Sequence, residues 1–90
     1  MTWPDVLALA ERELELARGG DIDALPAANA ERVRLSAALG AAPRPILERL
    51  VEVQRQIVVE LTLAREEVAR ELRALERGRS AVRGYRASAG

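Results

Sequence analysis

Apolar side chains recur at Ile46, Leu50, Val53, Ile57, Leu61, Ala64, Val68, Leu72, Leu75 and Val82. The steps up to Leu75 sit close to the 3.6-residue period that keeps one face of an α-helix apolar, and Val82 falls on the same face. At 1.5 Å per residue such a helix is about 55 Å long. Two shorter segments precede it. In the first, Trp3, Val6, Leu7, Ala10, Leu14 and Ala17 share an arc of about 100°. Thr2 followed by Asp5 gives a capping box, and Pro4 suits the first turn. Gly19-Gly20 supplies the backbone freedom that ends a helix, so the prediction is a helix over 3–18.

The stretch GGDIDALPAANAERVRLSAALG predicts a second helix over 21–39. Asp21 or Asp23 is the expected N-cap, with Pro26 in the first turn. Gly40, Pro43 and Pro45 stop it. Its inward arc carries Ile22, Leu25, Ala28, Leu35 and Leu39, interrupted by Asn29, Arg32 and Ser36. Such an interrupted stripe reads either as a functional groove or as close helix packing with Arg32 snorkelling at the boundary. The expected fold is therefore all-α: an antiparallel three-helix bundle with two short helices and one long C-terminal helix near 44–82. Residues 1–82 form the bundle, and 83–90 are expected to be a flexible basic tail.

Such a bundle is unbalanced. Each short helix, about 25 Å long, can cover only half of the third. Val68, Leu72, Leu75 and Val82 are then left without a partner in their own chain. Leaving four such side chains in water forgoes on the order of 6 kcal/mol, comparable with the stability of a small domain. A second excess lies in QIVVELTLA, residues 56–64, apolar on nearly every face. Val58 sits beside the main stripe with Leu47 and Val51, while Val59 and Leu63 point away. Either these are scattered surface aliphatics or the region meets another helix.

Charge changes the picture only locally. Fourteen Arg balance fourteen Asp and Glu. Residues 1–43 hold four Arg against seven acids, residues 44–76 six against seven, and residues 77–90 four against none. The basic end, LERGRSAVRGYRAS, also holds the one tyrosine. In a continued helix, Tyr85 lies about 90° from the Ile46–Val82 stripe, away from any core on that face. The interleaved Glu66, Glu67, Glu71 and Glu76 argue against nucleic acid as its target.

Catalysis finds little footing. The chain has no His, Cys or Lys, which removes the commonest base, thiol and Schiff-base chemistry. Glu and Arg alternate at helical spacing, as on a solvated face. No catalytic, metal or cofactor site is expected. The opening MTWPDV lacks a basic region ahead of an apolar core, and no apolar run approaches 18 residues, so the expected location is the cytoplasm, without a membrane span.

The order of ELARGGDIDAL, AERVRL, a proline break and a long Glu/Arg-rich helix ending RGRSAVRGYR resembles the FliT-type flagellar export chaperones. It is also similar to the FlgN type, although the Asn-rich stretch common there is missing. The resemblance implies a cytoplasmic type III export chaperone. Its partners would be the C-terminal helical segment of a filament-cap or hook-associated protein, kept from early assembly, and the cytoplasmic domain of the export gate. Val58, Leu61, Val68, Leu72 and Leu75 would then bind the client. Tyr85 matches the gate-docking tyrosine, with Arg79, Arg83 and Arg86 steering it. The competing reading is a structural homodimer of paired long helices with no client.

Overall fold

A computed structural model describes residues 1–89, with side chains as far as Gly84. It is all-helical, with three α-helices: α1 (Trp3–Arg18), α2 (Leu25–Ser36) and α3 (Arg44–Ala89). A 3-10 turn, Ile22–Ala24, leads into α2. The molecule is a rod of 71 × 20 × 17 Å whose length is that of α3.

The start of α1 follows the expected chemistry. Asp5 accepts the Thr2 backbone N–H at 2.8 Å and the Thr2 hydroxyl at 2.9 Å. Its end is a Schellman motif. The Asp21 N–H reaches the Leu16 carbonyl at 2.9 Å and the Gly20 N–H that of Ala17 at 3.2 Å. Gly20 takes φ 78°, a conformation costly for any side chain with a Cβ.

The second helix is shorter than its sequence suggests. The 3-10 turn takes up residues 22–24, and Ala24, rather than Asp21 or Asp23, occupies the N-cap of α2. At the other end the Ser36 hydroxyl donates back to the Val33 carbonyl at 2.9 Å. The Ala38 and Leu39 N–H groups then bond three residues back, to Leu35 and Ser36. The chain tightens out of α geometry before it reaches Gly40. The third helix errs the other way: its backbone is helical to Ala89, so the expected end at Val82 falls inside it. Gly78 and Gly84 lower its propensity without ending it.

Packing is centred on α1, which lies against both α2 and the first half of α3. Ala10, Leu14, Val53 and Ile57 form the core, flanked by Leu7, Leu50 and Leu61. Two cross-links fix direction. Arg49 reaches Glu11 at 3.4 Å and Arg18 reaches Gln56 at 3.2 Å, each across 38 positions, so α1 and α3 run the same way. Val6 and Ala17 complete the buried face of α1, and Leu25 is the buried residue of α2. Leu61 is the last side chain of the α3 stripe that packs against the core.

One core residue is charged. Glu13 is 2 % exposed, and both of its carboxylate oxygens are held from α2. Asn29 donates to Oε1 at 3.1 Å, and Arg32 donates to Oε2 through Nε. Arg32 also reaches Gln54 of α3 at 3.3 Å, tying the three helices together. Arg32 stands at the boundary, its side chain 16 % exposed, and turns its guanidinium onto the buried carboxylate, which requires a partner there.

Candidate helix-docking surface

Past Leu61 the described part of the α3 stripe leaves the core. Arg18 at the end of α1 is level with Gln56 and Glu60, and the Gly19-Gly20 turn carries the chain back. Every residue from Arg70 to Gly84 is exposed. Val68 is 54 % exposed, Leu72 61 %, Leu75 60 % and Val82 50 %. Helical spacing puts these four on one side, continuous with Val53 and Ile57 in the core upstream. Arg79 lies on that side too, between Leu75 and Val82. Ala74, Leu75, Gly78 and Val82 line a shallow, almost wholly apolar surface bordered by Glu71, Arg79 and Arg83.

The edges of the stripe are polar and locally paired. Glu67 and Arg70 form an ion pair, and Arg83 reaches Glu76 at 3.4 Å and Ser80 at 3.5 Å. These bonds keep the charged heads on the helix flanks and leave the apolar strip open. Exposed pairs of this kind contribute little to stability.

The residues proposed from sequence for client binding divide into groups. Val68, Leu72 and Leu75 are brought together on the open stripe. Leu61 stands at its inner end, half-buried against the core. Val58 is on a different side with Leu47 and Val51, all three exposed, while Val59 and Leu63 are exposed on a further face. Arg79 and Arg83 are exposed near the end of the stripe. The side chains of Tyr85 and Arg86 lie outside the described residues.

Sequence reasoning missed the Glu13 cluster. The signal was present: Glu13 sits three positions after Ala10 and four before Ala17, inside the buried arc. Asn29 and Arg32 supply matching donors on the inward arc of α2. Beside this cluster a shallow cleft of about 320 Å³ opens among the three helices, lined by Leu25, Pro26, Ile57 and Leu61 together with Glu13, Asn29 and Gln54. Glu13 is already satisfied by two donors, which leaves it suited to holding helices together rather than to chemistry.

Among the described residues, no group of three or more potential metal ligands occurs, and no helix is long and apolar enough to cross a membrane. No protein-family model matches the chain, and neither a curated protein nor a solved structure does.

Proposed function

We propose that the protein works by binding a helix of another protein along the distal stripe of α3, without catalysing a reaction. The observation that carries this is the stripe itself: four large apolar side chains in register on a helix whose own bundle ends at Leu61. An amphipathic partner helix laid there buries Val68, Leu72, Leu75 and Val82, the helix-in-groove mode of recognition. The proximal half, packed around the Ala10–Leu14–Val53–Ile57 core, carries the stripe outstretched from one end of the bundle.

The finer reading follows the FliT-type resemblance. The client is the C-terminal helical segment of a filament-cap or hook-associated protein, bound in the cytoplasm, kept from assembling and handed to the export gate. Tyr85 anchors at the gate while Arg79, Arg83 and Arg86 accelerate the encounter with an acidic surface. In the proximal half, α2 runs antiparallel to α1 and α3 as the middle helix of the bundle.

Calorimetric titration tests the reading, using a synthetic peptide that spans the C-terminal helix of the filament-cap protein from the same genome. The wild-type chain binds it. Val68→Asp retains its circular dichroism spectrum and weakens binding at least about tenfold, since an unpaired carboxylate in the groove must be desolvated. Tyr85→Ala leaves peptide affinity unchanged. Equal binding by Val68→Asp and wild type contradicts the reading.

A further inference from the structure

We infer that, when no client is bound, the distal half of α3 is covered by the distal half of a second copy lying antiparallel to it. The basic end of each copy meets the acidic α1–α2 turn of the other. This rests on the client-capture reading only in using the same stripe, and it adds a resting occupant that a client must displace.

The seam dictates the orientation. From Val68 onward the stripe proceeds through Leu72, Leu75, Arg79 and Val82 in alternating steps of four and three, the spacing of a two-helix coiled-coil seam. Arg79 is built into it. A parallel partner sets Arg79 against Arg79 and the four arginines of residues 77–90 against four more, with no acid among them. An antiparallel partner with Leu72 opposite Leu75 avoids both. Arg79 then lies opposite Val68, and Arg65 opposite Val82, with their aliphatic stems on the apolar seam and their heads at its edge.

The same register determines where the basic end arrives. Leu72 opposite Leu75 brings Arg83 level with Ala64 of the second copy, one turn beyond Glu60, beside which Arg18 ends α1. The turn that follows Arg18 carries exposed Asp21 and Asp23, and no basic residue occurs between Arg18 and Arg32. Residues 1–43 as a whole hold seven acids against four Arg. Opposite charges therefore meet at both ends of the overlap. The bare segment of one copy also matches that of the other in length, so a two-fold pairing covers both stripes and closes.

Cysteine cross-linking and sedimentation on the full chain, which has no native Cys, test this directly. Wild type sediments as a dimer at tens of micromolar. On oxidation, Val82→Cys mixed with Arg65→Cys gives a disulfide-linked dimer, whereas Val82→Cys alone gives none. The pair Asp21→Arg with Asp23→Arg, both on the exposed turn, weakens dimerisation about tenfold through lost charge complementarity. Adding Arg83→Asp and Arg86→Asp to it restores the affinity. A monomeric wild type, efficient cross-linking of Val82→Cys alone, or no rescue by the charge swap overturns the inference. A monomer that still binds the filament-cap peptide leaves client capture standing. A cross-linked dimer that no peptide disperses leaves the pairing standing and removes client capture.

Discussion

Val53 and Val68 are the same side chain on the same face of the same helix, yet one is 0 % exposed and the other 54 %. What separates them lies elsewhere in the chain. α1 runs for 16 residues alongside α3 and then turns back, and among the described residues Leu61 is the last of the α3 stripe to pack against the core. Helical periodicity therefore reports which face gains from burial, while the length of the neighbouring helices decides what buries it. The proximal half of α3 is a structural element. The distal half has the same surface chemistry and no cover, which makes it the half available to other molecules.

The largest contrast comes from placing one substitution in both halves. Val53→Asp puts an unpaired carboxylate in the core and costs about 3–5 kcal/mol, enough to unfold a small domain. Val68→Asp, measured by urea unfolding where the chain is monomeric, shifts stability by no more than about 0.5 kcal/mol. Equal costs at the two sites would mean that the distal stripe is packed within its own chain.

Next in size is the charged cluster that ties the proximal half together. Glu13→Ala strands the Arg32 guanidinium and costs about 3 kcal/mol in the same denaturant experiment. Replacing both partners by leucine comes within about 1 kcal/mol of wild type, because neither charge is left buried alone. A Glu71→Ala change in the distal half, where the side chain is exposed, costs no more than about 0.5 kcal/mol.

Glycines in the two halves give effects of opposite sign. Gly20 sits at positive φ in the turn that ends α1, so Gly20→Ala destabilises by about 1–2 kcal/mol. Gly78 has open space around a would-be Cβ and helical backbone. Gly78→Ala therefore stabilises the distal helix by about 0.5–1 kcal/mol, read as slower amide exchange around residue 78.

The smallest effect is that of acid. In the proximal half, Glu52 accepts hydrogen bonds from Arg55 and Gln56, which hold its carboxyl down to about 2 from an ordinary 4.5. Asp5, bonded by the Thr2 N–H and hydroxyl, and Glu31, bonded by Arg34, are also lowered. A carboxyl with a depressed folded-state value stabilises above its unfolded value, and that stabilisation is lost as pH falls through the folded one. Thermal midpoints should thus hold level above about pH 5 and decline, for Glu52, from about 4.5 toward 2. A midpoint that rises on acidification through this window contradicts the assignment.

Much of this architecture could be read from the residues. Thr2 with Asp5, Gly19-Gly20 and Pro45 mark helix boundaries by local backbone chemistry, and the Ile46–Val82 stripe defines a face without knowledge of the rest. The features that escaped depend on competition or on distant partners. Both Asp21 and Gly40 are good helix boundaries, but a 3-10 turn at Ile22–Ala24 and the Ser36 hydroxyl take over the two ends of α2. Glu13 looks like one more surface acid in ERELELAR until Asn29 and Arg32 arrive from 16 and 19 positions away. Leu61 shares a face with Val68, Leu72 and Leu75, and periodicity alone does not separate it from them. Its half-buried place at the edge of the core depends on where α1 stops.

Amide hydrogen exchange along α3, followed as a function of protein concentration, separates a covered proximal half from a bare distal one. At dilutions where the chain is monomeric, amides near Leu50–Leu61 should open only with global unfolding, while those from Val68 to Gly84 exchange orders of magnitude faster, since a bare helix is held by propensity alone. Raising the concentration, or adding the filament-cap peptide, should protect the distal amides and leave the proximal ones unchanged. Distal amides as strongly protected as proximal ones at high dilution would show that the chain covers its own stripe, and the account would be wrong.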